Sequence, residues 1–368
     1  MIKEIKIENY KSIETLSLNL GRVNVFIGEN GCGKSNILEA IALYSASFYN
    51  KLDNEFLVSR GIRVTQDPKF MRSAFDKGNV DKEIKVSIVS QNRMAQECTL
   101  HNDNKSLYSK WMNLGDTYRK TLLKQIEPPT NVSGFINGDK ARQSVAGLEL
   151  EAFLIYSPEN TSLRTFEKEG QILPLGIKGE GLFKLLKVMS IENKEELQEV
   201  KKGLELIDWF QNFHLPNNLY GDEKYIQIED RYIDSDLKYF DQVSSNEGFL
   251  FLLFYFCLFV SNLTPKFFAI DNIDASLNPK LCSELVKRLA VLAEKYDKQA
   301  IFTTHNPAVL DGLNLDDEEQ KLFIVYRNSL GHTKVRPFSK PKPLEGNEPV
   351  RLSEAFLRGY IGGLPKNF

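Results

Sequence analysis

The residues with the plainest chemical capacity form one short run, Gly28-Glu29-Asn30-Gly31-Cys32-Gly33-Lys34-Ser35. Its glycines let the backbone turn and aim several N–H groups at a single anion. Lys34 brings a positive charge against the β and γ phosphates of a nucleotide, and the Ser35 hydroxyl can ligate Mg²⁺. Asn30, Gly31, Cys32, Gly33, Lys34, Ser35 and the following Asn36 are therefore the candidate phosphate-binding residues, and ATP with Mg²⁺ the candidate ligand. Such a metal needs a second carboxylate, supplied at the end of an apolar strand, and Phe267-Phe268-Ala269-Ile270-Asp271 provides one. Ser35 and Asp271 are the candidate metal ligands.

These groups act together only if strands and helices hold them. Val23-Asn24-Val25-Phe26-Ile27 runs straight into the glycine loop, and Ile37, Leu38, Ile41, Ala42 and Tyr44 continue from it at helical spacing, so the order is strand, loop, helix. Strands are predicted again over 266–270, 299–304 and 322–326. A helix that opens at Pro279 and carries Leu281, Leu285, Leu289 and Leu292 on one face lies between the first two. Strands alternating with helices predict an α/β fold with a mainly parallel sheet.

With 368 residues the chain exceeds an ordinary single domain, and its 47 basic and 49 acidic residues leave a net charge of −2. That balance gives the whole chain no electrostatic footprint for nucleic acid. Cys32, Cys98, Cys257 and Cys282 lie far apart without metal-ligand spacing and read as reduced thiols, which suits the cytoplasm. The start, Met1-Ile2-Lys3-Glu4-Ile5-Lys6-Ile7, alternates apolar and charged residues and reads as a strand rather than a signal peptide, as does Leu16-Ser17-Leu18-Asn19-Leu20. The apolar run Phe249–Val260 is too short for a bilayer, which needs roughly 18 to 20 residues, and predicts a buried helix without membrane contact.

Residues 46–150 turn polar, with turn clusters at His101-Asn102-Asp103-Asn104 and Glu127-Pro128-Pro129-Thr130-Asn131, and read as an inserted strand and loop region. Within 193–208, Leu197, Val200, Leu204 and Ile207 fall at helical spacing among many charges, as a helical arm or lid would show. The expected organisation is an N-terminal part of the nucleotide-binding head over 1–45 and an inserted strand, loop and helical arm region over 46–240 that partly returns to the head near 150–186. A C-terminal part of the head follows over 241–368.

Ile270-Asp271-Asn272-Ile273-Asp274-Ala275-Ser276-Leu277-Asn278 resembles the Walker B and D-loop segment of ABC-type ATPases. In that family the residue after the Asp is usually a Glu that polarises the attacking water, and here it is Asn272. Upstream, Val243-Ser244-Ser245-Asn246-Glu247 is similar to the ABC signature motif, without its glycine pair; alone it also reads as a helix cap, and its position shortly before Asp271 favours the motif. Downstream, Thr303-Thr304-His305-Asn306-Pro307 resembles the switch segment, whose His contacts the γ-phosphate. Together with Ile7-Glu8-Asn9-Tyr10-Lys11-Ser12, these segments are similar to the RecF/SMC/OLD-like branch of ABC ATPases. There a basic residue at the place of Lys11 often helps to bind phosphate, and Gln91 and Gln96 are the candidates for the family's metal-site glutamine.

The resemblance implies a P-loop ABC-type ATPase head that dimerises head to head, or forms a higher even oligomer. Each site would combine Lys34, Ser35, Asp271 and His305 of one chain with Ser244 of the other. Asn272, Asp274 and His305 are the candidate catalytic residues, and hydrolysis is expected to be slow, because an amide cannot take a proton from water as a carboxylate does. Tyr156-Ser157-Pro158-Glu159-Asn160-Thr161-Ser162-Leu163-Arg164 and the closing run Leu352–Pro365 look like stand-alone bacterial ATPases, many of them encoded beside a toxic effector in anti-phage defence. That likeness implies a sensor controlling a separately encoded effector, a nuclease by expectation. The alternative is a RecF-like repair factor whose closed dimer clamps DNA. A transporter subunit, the third reading, fits poorly with the Ile-Glu-Asn-Tyr-Lys-Ser opening.

Overall fold

The structure is a computed structural model that describes residues 1–49, 51–91, 95–106, 109–115, 152–166, 172–216, 224–234, 236–237, 239–340 and 350–364. Five parallel neighbours and one antiparallel edge strand make its central sheet. The strands are β3 (Val23–Ile27), β7 (Ile155–Tyr156), β10 (Phe267–Ile270), β11 (Gln299–Thr304), β12 (Gln320–Arg327) and β13 (Thr333–Phe338), in the order β13-β12-β3-β11-β10-β7. Only the β12–β13 pair is antiparallel, and β8 (Phe210–His214) and β9 (Gln227–Asp230) form a separate two-stranded sheet. The α/β architecture with a mostly parallel sheet is thus the observed one.

Alternation at period two gives this sheet two buried faces. Val23, Val25, Ile27, Phe268, Ile270, Ala300, Phe302, Leu322 and Ile324 face one core, and Phe26, Phe267, Ala269, Ile301, Phe323 and Val325 face the other. The second core is closed by helix α1 (Lys34–Phe48) and by an antiparallel sheet, β2-β1-β4-β5-β6, built from β1 (Ile2–Tyr10), β2 (Ile13–Asn19), β4 (Ile84–Ser90), β5 (Ala95–His101) and β6 (Met112–Asn113). Strand β4 pairs directly with β1, Ile5 opposite Ile88 and Ile7 opposite Val86. The polar stretch after residue 46 therefore supplies strands to the sheet that β1 begins. The turn cluster Glu127–Asn131 lies outside the described residues.

The first core is filled by helix α6 (Glu247–Val260), in which every residue from Phe249 to Val260 is buried. A helix apolar on all sides is stable only when surrounded on all sides. It is enclosed by the central sheet, by α3 (Asn160–Thr165), α4 (Leu182–Glu192) and α5 (Lys194–Leu204), and by α7 (Pro279–Lys295). Asn246 caps α6, its Oδ1 accepting from the Phe249 N–H at 2.8 Å.

The stretch expected to form a helical arm is helical but docked. In α5, Val200 and Leu204 are fully buried against α6, and apart from the buried Glu196 the charges that suggested an arm cover the outer face. Burying such aliphatic side chains is worth about 1.5–3 kcal/mol each, which favours docking over an extended arm. Among the described residues, no helix is long and apolar enough to cross a membrane.

Candidate functional site

Strand register brings the site together at the C-terminal edge of the central sheet, where open α/β folds place their ligands. Ile27 pairs with Thr304, so His305 emerges beside Gly28. Ile270 pairs with Phe302, so Asp271 emerges beside Thr303. Tyr156 pairs with Ile270 and its carbonyl accepts the Asp271 N–H at 2.9 Å, which puts Ser157 on the other flank.

The glycine loop leads from β3 into α1. Gly33 occupies the N-cap position at φ 107°, and a Cβ there would lie 2.0 Å from Thr333 Oγ1. Only glycine tolerates both the left-handed backbone and that approach. A relay of hydroxyls fixes the loop from behind. Asn36 Nδ2 donates to Ser12 Oγ at 2.6 Å, Ser12 Oγ meets Thr333 Oγ1 at 2.6 Å, and Thr333 Oγ1 donates to the Cys32 carbonyl at 2.8 Å. Cys32 is itself buried, which pushes its thiol pKa up and leaves it inert as a nucleophile. Asn30 and Gly31 form the exposed crest, with nothing within 4 Å of the Gly31 Cβ position.

Lys34 folds back over this loop and donates from Nζ to the Gly28 carbonyl at 2.7 Å and the Glu29 carbonyl at 3.0 Å. Burial draws its pKa below the ordinary lysine value. His305 Nδ1 lies 3.2 Å from Lys34 Nζ and 3.2 Å from the Gly28 carbonyl. Burial first and the Lys34 charge second lower the His305 pKa, so the ring is neutral at physiological pH. Lys34 and His305 thus converge on one point at the mouth of the loop.

Asp271 accepts from Ser35 Oγ at 3.1 Å and from the Thr303 hydroxyl. Two hard oxygen groups so placed suit Mg²⁺, which is commonly held by one or two carboxylates, phosphates and water rather than by a full protein cage.

Asn272 is exposed and takes a left-handed backbone, φ 56°, with its N–H on Thr303 Oγ1 at 2.9 Å. Asp274 turns inward and accepts from Thr304 Oγ1 at 2.6 Å. Ser244 lies in an exposed turn before α6, its N–H on Asp241 Oδ1 at 2.9 Å. The N-terminus of that helix abuts the loop after Asp274, the Cβ position of Gly248 lying 3.3 Å from the Ser276 carbonyl.

Lys11 has a protein partner in Glu39, a side chain 1 % exposed, and also donates to the Arg63 carbonyl at 2.7 Å. Glu39 further accepts from Arg63 Nε at 2.5 Å and from Tyr10 OH at 3.2 Å. A buried carboxylate needs such partners, and this one binds Lys11 into the fold. Gln91 and Gln96 both lie away from the site. The Gln91 N–H bonds the Met1 carbonyl at the sheet's end, and Gln96 on β5 accepts from Tyr44 OH at 3.2 Å. Ser157 takes the flank of Asp271 instead, lining with Ser35, Glu159, Lys178 and Asp271 a cleft of about 150 Å³.

Sequence reasoning missed Ser157, Arg63, Thr303 and Thr304 as site residues. Thr303 and Thr304 were legible in part, since two hydroxyls precede His305 on its own strand. A larger groove of about 550 Å³ opens at Asn36, lined by Lys11, Asn36, Arg63, Phe70, Phe75 and Arg327 among others. Arg327 donates from Nε to the Gly31 carbonyl at 2.8 Å.

With this geometry in place, comparison with known proteins is informative. Residues 1–212 match the family described as "AAA ATPase domain". The chain belongs to that family. Residues 192–311 match a second, described as "AAA domain, putative AbiEii toxin, Type IV TA system". An SMC head solved bound to the C-winged helix domain of ScpA superposes with a TM-score of 0.52 over 92 % of this chain and 97 % of its own, at 17 % identity, a likeness of fold.

Among curated relatives, the uncharacterized protein MJECL10 of Methanocaldococcus jannaschii is 36 % identical over 116 residues, 30 % of this chain and 51 % of that protein. The DNA replication and repair protein RecF of Clostridium perfringens is 36 % identical over 97 residues, 26 % of each chain. The chain therefore spans about half of the first relative and a quarter of the second. It is an AAA-type ATPase with RecF and SMC-head similarity.

Proposed function

We propose that this ATPase is a nucleotide-dependent switch in which ATP and Mg²⁺ hold two heads together. Convergence of Lys34, Ser35, Asp271 and His305 on the mouth of one glycine loop is the observation that carries it. Lys34 and the loop N–H groups would hold the phosphates, and Ser35 and Asp271 the metal, which would neutralise phosphate charge. The groove at Asn36 is of a size suited to a nucleoside, with Phe75 and Arg327 at its wall. Ser244 and the loop after Asp274, adjacent and exposed, would meet the second head. Asn272 in place of a carboxylate makes turnover slow, so that the bound state persists.

Two outputs fit such a switch. The match to a family named for a toxin system supports control of a separately encoded effector, a nuclease in our reading, in anti-phage defence. The RecF similarity equally supports a dimer that closes on DNA. Light scattering with and without ATP and Mg²⁺, on the chain co-expressed with the product of its neighbouring gene, separates them. A joint complex that changes with ATP and is lost in Lys34→Ala supports effector control. Dimerisation that needs both ATP and duplex DNA, and weakens steeply with salt, supports the repair reading. A monomer under all these conditions refutes the switch.

A further inference from the structure

We infer that Asp274 is the carboxylate that takes the proton of the attacking water in this ATPase, and that Thr304 is the positioning residue that aims it. The inference rests on the nucleotide-binding reading above. Asp271 is already engaged by Ser35 and Thr303, and Asn272, exposed on a left-handed backbone, has no acid–base capacity. Asp274 is the next carboxylate along the loop. Its partner Thr304 pairs with Ile27, just before Gly28, and directly precedes His305, which ties Asp274 to the loop mouth.

Thr304 is fully buried, and its hydroxyl is engaged both as donor and as acceptor. Oγ1 accepts the Asn306 N–H at 2.9 Å, and of the two acceptors within its own reach Asp274 Oδ1 at 2.6 Å is much nearer than the Asn306 carbonyl at 3.4 Å, so the proton goes to the carboxylate. With Oδ1 so held, Oδ2 is engaged by no donor among the described residues and keeps its lone pairs for water. Glu159, the rival carboxylate of the adjoining cleft, is paired with Lys178 at 2.8 Å and half exposed. In the step itself, the water oxygen bonds the γ-phosphorus while the bond from phosphorus to the β–γ bridging oxygen breaks. That electron pair leaves with ADP. The proton lost by the water passes to Asp274 Oδ2 and from there to solvent.

Thr304→Val keeps the shape and removes the hydroxyl, whereas Thr304→Ser restores it. Single-turnover cleavage of radiolabelled ATP and titration with a fluorescent ATP analogue read chemistry and binding separately. Asp274→Asn is expected to slow cleavage roughly 100-fold, within the range of a general base, with analogue affinity unchanged. Thr304→Val should slow it about 10-fold with affinity unchanged, Thr304→Ser should recover most of the rate, and the Thr304→Val/Asp274→Asn pair should be no slower than Asp274→Asn alone.

Equal rates for Val and Ser at 304, additive losses in the pair, or an unaffected Asp274→Asn would each overturn the assignment. So would cleavage that Glu159→Gln abolishes while Asp274→Asn does not. A wild-type chain that binds the analogue but cleaves no ATP overturns it and leaves the nucleotide reading standing. A chain that binds no analogue removes both.

Discussion

Half of the proposed nucleotide site is one run of eight residues, 28–35, while the other half is gathered from loop ends at 157, 271–274 and 303–305. The two halves meet at Lys34 and His305, yet they are held by different means. The glycine loop is fixed by backbone conformation and by hydroxyls behind it, and tolerates almost no change of shape. The carboxylate half is fixed by strand register, each acidic residue hydrogen-bonded to a threonine one strand away. A residue in the first half acts through the position of the main chain, and one in the second through the direction of a single side chain.

Lys34→Ala breaks the contiguous half most deeply. Charge-assisted contacts to phosphate are worth about 1.5–3 kcal/mol, so loss of the ammonium should weaken ATP binding roughly 100-fold. Calorimetric titration of wild type and variant checks this. Undiminished binding would mean that the loop is not the phosphate site.

Gly33→Ala tests the same half through its backbone. A Cβ at φ 107° would strike Thr333 Oγ1 at 2.0 Å, and left-handed strain and overlap together should cost about 2–3 kcal/mol. Thermal unfolding should register a midpoint several degrees lower. Thr333→Ala on the same background should return part of the loss by removing the hydroxyl that clashes. If Gly33→Ala leaves the midpoint unchanged, the hydroxyl relay from Asn36 to Cys32 is not what sets the loop.

Legibility follows the same division. Gly28 to Ser35 can be read from the chain because glycine, lysine and serine do their work within one turn of backbone. Asp271 and His305 can be read because each ends an apolar strand. What the chain does not show is whatever depends on what lies across the fold. Lys11 lines the groove and also pairs with Glu39, a buried acid whose need for a partner no local pattern announces. Gln91 and Gln96 have the right functional group on the wrong sheet, whereas Ser157 has the right position through the short pairing of β7 with β10. Helix α5 shows an amphipathic pattern that suits an exposed arm and a docked helix alike, and only the apolar surface of α6 decides between them.

Asn272→Glu sharpens the comparison on the carboxylate side. A carboxylate at that position should raise single-turnover ATP cleavage roughly 10-fold or more. It should also lower stability by about 1 kcal/mol, since asparagine tolerates φ 56° better than glutamate does. A faster but less stable variant would tie the amide to a slow switch. An unchanged rate would mean that the exposed position 272 does not face the reacting water, and that Asp274 alone is aimed at it.

The smallest effect expected is one of pH, at the point where the halves touch. Burial and the Lys34 charge lower the His305 pKa below its ordinary 6.5, so the unfolded chain takes up this proton before the folded one does. The unfolded state then binds more protons as pH falls through 6.5, and stability must fall with it. Above that pH both states hold a neutral ring and the group contributes nothing. Urea midpoints at pH 7.5 and 5.5 should therefore fall further apart in wild type than in His305→Asn, which cannot titrate. Carboxylates shared by both proteins cancel in that difference. An equal drop in the two would mean that the ring accepts its proton in the folded state as readily as in water, and that Lys34 does not press on it from across the loop mouth.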